Sequence, residues 1–138
     1  MPLFSRLTAL CQVLAKHAPL PVRISRPDDA PGLYIWPWRI EEDTRVRSSR
    51  LPGDDPLLRV PPPVIHFLVL SSTSLDGETV GALESARLAL LETPVFEAGS
   101  GRVSVVPATM TNSELTDLFT AAQIPLRLSL AYTLRSTA

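Results

Sequence analysis

The chain has 138 residues with 13 Lys+Arg against 14 Asp+Glu, a formal net charge of −1, and is 45 % hydrophobic and 20 % charged. That is length for one domain and enough apolar residue for a packed core, which excludes wholesale disorder. The missing basic surplus argues against a nucleic-acid partner, the single Cys11 excludes an internal disulfide, and no apolar run reaches the roughly 18 residues of a membrane span.

Ser5 to His17 places Leu7, Leu10, Cys11, Val13 and Leu14 on one helical stripe, with Ser5 as N-cap and Pro19 and Pro21 as the stop. Arg6, Lys16 and His17 interrupt the apolar positions, so this start reads as an amphipathic helix and not as a leader. Val22 to Ser25 alternates as a short strand, and the turn-rich stretch Pro27 to Gly32 follows. Leu33 to Ile40 then reads as the second arm of a hairpin. Pro37 cannot donate to a ladder, so this arm is expected at an edge or with a bulge. Tyr34, Trp36, Trp38 and Ile40 fall on one face of it, either as core or as an exposed aromatic patch for a protein partner.

Glu41 to Pro62 has no periodicity and sets Arg45, Arg47, Arg50 and Arg59 against Glu41, Glu42, Asp43, Asp54 and Asp55. It is read as a long loop, mobile in the free subunit and ordered on assembly, with Arg45, Arg47 and Arg50 as candidate contacts to partner carboxylates; a solvated loop with local ion pairs is the other reading. Val64 to Leu70 is nearly all apolar, as in a strand buried on both faces. Ser74 caps a helix to about Glu92 with Val80, Leu83, Leu90 and Leu91 inward, ended by Pro94. Gly99 to Gly101 is a turn, and Arg102 to Val106 a strand. Thr111-Asn112-Ser113-Glu114 is a capping box for a third helix carrying Leu115, Leu118, Phe119 and Ala122. Leu126 to Leu134 alternates strictly as the last strand. The order α-β-β-loop-β-α-β-α-β predicts an α/β (α+β) fold in one domain over residues 1–138, a mixed and mostly antiparallel sheet with helices packed on one face.

Catalytic signals are missing. His17 sits at a helix end, where its cation suits the dipole, and His66 sits within a buried strand with no acidic companion at ligand spacing. Cys11 lies on an apolar stripe, and Asp28-Asp29 and Asp54-Asp55 lie in turns. No phosphate loop, dinucleotide fingerprint or nucleophile elbow occurs. The expectation is therefore a non-enzyme with no catalytic residue, cofactor or metal, working by docking to proteins.

Gly32 to Ser49, an aromatic strand running into Arg39-Ile40-Glu41-Glu42 and then alternating arginines, resembles the cap family of contractile injection systems. So do Pro61-Pro62-Pro63 leading into the Val64 strand, the helix over Gly81 to Val95, and the capped helix and closing strand over Thr111 to Arg135. Asp43 and Ser48-Ser49 stand where that family commonly carries Asn. The resemblance implies a cytoplasmic tail terminator: a homo-oligomeric ring, a hexamer by expectation, that ends tube and sheath polymerisation and couples the two. The alternative is a stand-alone protein–protein adaptor. Neither involves nucleic acid or membrane.

Overall fold

Leucines and valines at three- and four-residue spacing build the first helix, α1 (Leu3–Ala15), which buries Leu7, Leu10, Val13 and Leu14 and leaves Cys11 half-buried. The computed structural model describes residues 3–18, 20–28, 30–42, 63–72, 77–99 and 101–137. Six strands follow: β1 (Val22–Ile24), β2 (Leu33–Glu42), β3 (Pro63–Ser71), β4 (Val95–Ala98), β5 (Gly101–Pro107) and β6 (Ser129–Thr137). They form one sheet in the order β1-β2-β3-β6-β5-β4. The apolar run from Val64 makes β3 central, paired antiparallel with both β2 and β6. Helix α2 (Gly77–Glu92) connects β3 to β4, and α3 (Asn112–Ala121) connects β5 to β6. The outer strands β1 and β4 both contact α1, so the sheet curls around that helix.

Period-two alternation sends side chains to two cores. Leu33, Ile35, Ile65, Phe67, Val69, Val103, Val105, Tyr132 and Leu134 pack with α1 and α2. Tyr34, Leu68 and Leu70 pack instead with Phe119, Leu115 and Leu118 of α3. The helices thus cover both faces, two on one and one on the other, where the sequence suggested a single covered face. The α+β fold and its mostly antiparallel mixed sheet are as expected.

The hairpin expected from β1 and β2 is a parallel pair instead, with Val22 opposite Leu33 and Ile24 opposite Ile35. Parallel neighbours usually need a dozen or more connecting residues. Here residues 25–32 suffice, because β1 is three residues long and the return is short against a reach of roughly 3.3 Å per residue. The return is pinned by Leu33 N–H donating to the Pro21 carbonyl (2.8 Å) and Ser25 N–H to that of Ile35 (3.1 Å). Gly32 is required by close approach: a Cβ there would lie 2.9 Å from the Pro21 oxygen.

β1 covers only the first three residues of β2, so the Trp36–Trp38 half of that strand has β3 as its one partner strand among the described residues. The register shifts between Pro37, opposite Phe67, and Arg39, opposite His66, making Trp38 the extra residue of a bulge. The bulge also moves Ile40 off the Tyr34–Trp36–Trp38 face: it pairs with Ile65 on the α1 side and is exposed. β2 continues through Glu41 and Glu42, which the sequence reading assigned to the loop; residues 43–62 lie outside the described residues.

The capping box is present as read, with Thr111 accepting from Glu114 N–H at 3.1 Å. Three boundaries differ. β4 is an additional strand, paired with β5 around Gly99, whose φ is 64°. β6 begins at Ser129, opposite Leu70 of β3, and not at Leu126; Leu126 and Leu128 precede it and are exposed. Ser5 lies within α1 and is not its cap.

Candidate docking surfaces

The Cys11 thiol lies 3.5 Å from the Val22 carbonyl, and burial pushes its pKa up, away from the reactive thiolate. His66 does have an acidic companion, which the sequence reading missed: Glu41, diagonal to it across the β2–β3 pair, with Nε2 2.7 Å from Oε1. That hydrogen bond is the main cause holding the Glu41 carboxyl below its ordinary range. Arg39 reaches the other Glu41 oxygen at 3.1 Å, and the Trp38 ring lies 5.6 Å from the imidazole. The arrangement clamps two strands beside a bulge; only the cross-strand register brings the pair together. Tyr34 is fully buried, and its hydroxyl sits 2.5 Å from both Asp28 Oδ1 and the Ala30 carbonyl, closing the β1–β2 connection. Among the described residues no group of three or more His, Cys, Asp and Glu is placed to hold a metal. No described helix is long and apolar enough to cross a membrane, which says nothing of a β-barrel.

Of the five residues singled out for docking, Trp36 and Trp38 are half-buried in the α3-side core. Trp36 meets Phe119 edge to face, ring centres 5.7 Å apart. The aromatic face is therefore chiefly core, with the rim of Trp38 reaching the surface. Arg45, Arg47 and Arg50 lie outside the described residues.

A surface that includes two residues the sequence reading assigned to the interior exposes several large apolar side chains. Helix α2 buries Thr79, Ala82, Leu83, Ala86, Ala89 and Leu90, while Val80 and Leu91, expected inside, are exposed. Leu88 (45 %), Leu91 (58 %) and Val95 (46 %) continue as an open strip from the outer face of α2 into β4. Beside it runs a groove of about 760 Å³ lined by Leu91, Pro94, Pro107, Met110, Leu115 and Tyr132. β4 pairs with residues 101–104 of β5, and beyond that stretch Val105 and Pro107 line the groove. The signal was the number of large apolar residues in α2, more than one inward face can hold, which an inward-only assignment hides.

Comparison with known proteins gives the context. A family model described as the Pvc16 N-terminal domain matches residues 7–137. The cryo-EM structure of the sheath/tube terminator of an extracellular contractile injection system, PVC, in its extended state superposes over 100 % of this chain with a TM-score of 0.72 at 19 % identity. The anti-feeding prophage cap, a tube-terminating cap also seen by cryo-EM, superposes over 100 % with a TM-score of 0.73 at 16 % identity. At these identities the likeness is one of fold. This chain spans 57 % of the first protein and 56 % of the second. A search of curated proteins returned no match.

Proposed function

The chain belongs to the Pvc16 N-terminal domain family, and we propose that it is a structural terminator subunit: a ring-forming cap, six-membered by expectation, at the end of a contractile tube and sheath. The observation that carries the reading is the superposition of the whole chain on two proteins described as a sheath/tube terminator and a tube-terminating cap. Its partners are then copies of itself together with tube and sheath subunits, and its work is to block further addition and couple the two layers. That work needs a rigid body with defined flanks and no chemistry. A curled sheet with a core on each face supplies the rigidity, and the cross-strand clasp Glu41–His66 and the loop-to-strand clasp Asp28–Tyr34 use its paired polar groups structurally. Arg45, Arg47 and Arg50 are proposed as contacts to partner carboxylates, where guanidinium forks bind bidentately.

Native mass spectrometry of the full chain tests the reading. A closed ring of one stoichiometry is expected, because a cap must match the symmetry of the tube it ends. A chain that stays monomeric or dimeric at all concentrations is an adaptor, and the terminator reading fails.

A further inference from the structure

Subunits related by rotation around a ring meet through two unlike patches, one on each flank. The two outer strands of this sheet provide such a pair, on either side of α1. One flank is basic: Lys16 after α1, Arg23 on β1 and Arg26 just beyond it are all exposed. The nearest described acid, Asp28, is engaged by the Tyr34 hydroxyl and the Ala30 N–H. The other flank is acidic and apolar. Glu92 at the end of α2 and Glu97 on β4 are exposed on either side of Val95, next to Leu88 and Leu91. Arg87 is held by Glu84 through bonds of 2.7 and 3.1 Å, and Arg102 faces Glu97 in register. Glu78, Glu84, Glu92 and Glu97 thus outnumber the flank's two arginines.

A second, independent observation points to the same surface. Helix α2 exposes Val80, Leu88 and Leu91 among Glu78, Glu84, Arg87 and Glu92, opposite the buried Leu83, Ala86 and Leu90. A surface helix ordinarily keeps its outer face polar, so three large apolar side chains set among the charges suit contact with a partner.

We infer that the β4–α2 flank of one copy docks on the β1 flank of the next, with Glu92 and Glu97 facing Lys16, Arg23 and Arg26, and with Leu88, Leu91 and Val95 as the apolar centre. This rests on the ring proposed above and names the surfaces that close it. The charges fix which flank meets which, since like-charged flanks repel, and the leucines provide the buried area.

The test uses two full-length variants: Arg23→Glu/Arg26→Glu, acidic on both flanks, and Glu92→Lys/Glu97→Lys, basic on both. All four positions are exposed, so each variant keeps the wild-type thermal midpoint within a degree or two. Each alone self-associates at least about tenfold more weakly than wild type, because every contact joins like charges. Mixed in equal amounts they reassemble, alternating around a ring of even number, which native mass spectrometry reads as equal copies of the two masses. A Leu91→Ser variant weakens association without changing its salt dependence. Rings formed by either charge variant alone, or a mixture that stays dissociated, overturn the interface while leaving the ring reading intact. A wild-type chain that forms no ring overturns both.

Discussion

The Tyr34 hydroxyl offers one proton to two oxygens, Asp28 Oδ1 and the Ala30 carbonyl, at a position with no solvent exposure. Phenylalanine would keep the ring packing and leave both acceptors to find water, so Tyr34→Phe is expected to cost about 1–2 kcal/mol in chemical denaturation. Asp28 gains from the same contact: the Tyr34 hydrogen bond first, and the Ala30 N–H second, hold its carboxyl below the ordinary range. A carboxylate whose pKa is lower in the folded state stabilises fully above its unfolded pKa, about 3.9, and loses that contribution as pH falls through the folded value. Asp28→Asn should therefore lower the thermal midpoint by a constant amount at neutral pH, with the gap to wild type closing on the acid side below about pH 4. A gap that persists unchanged to pH 2 would show that the carboxylate charge plays no part. The sequence showed Asp28 as a turn former but not as Tyr34's partner, because the contact depends on a parallel return that residue preferences do not encode.

At the scale of elements, local chemistry was legible and long-range pairing was not. The capping box at Thr111 is a four-residue pattern whose atoms all lie within one turn, and Thr111→Ala should cost about 1 kcal/mol in urea denaturation. Pro37 marked the bulge of β2 for an equally local reason, its missing N–H. The direction of β1 was hidden, since alternation reads the same for parallel and antiparallel neighbours. β4 was hidden because a four-residue strand gives too short a run, although Val95-Phe96 ahead of a glycine turn was the available sign. The end of α3 was also unread. Ile124 N–H bonds to the Phe119 carbonyl and Gln123 N–H to that of Thr120, with Gln123 in the left-handed region at φ 59°. That closure suits glycine, so Gln123→Gly is expected to stabilise the fold by up to about 1 kcal/mol, seen as a higher thermal midpoint. An unchanged or lower midpoint would mean that the glutamine side chain has compensating contacts.

For the whole molecule, the family resemblance and the fold agree, and what the sequence left open is where the contacts lie. Trp36 and Trp38 were placed correctly on a peripheral stretch, yet they serve mainly the α3-side core. The exposed strip of α2 and β4 was missed because Val80 and Leu91 read as interior and β4 was not read as a strand. The arginine proposal has its own outcome: an Arg45/Arg47/Arg50→Ala triple should keep the thermal midpoint of the subunit, since loop charges contribute little to folding, and should lose attachment to tube and sheath. Attachment equal to wild type would move the search to the Trp38 rim. The most direct measurement is the length distribution of tubes polymerised from the tube subunit of the same particle, with and without this chain, viewed by electron microscopy. A terminator shortens and narrows that distribution in proportion to the chain added and appears as a ring at one end of each tube. Tubes that grow to the same lengths with bare ends at saturating chain would contradict the account.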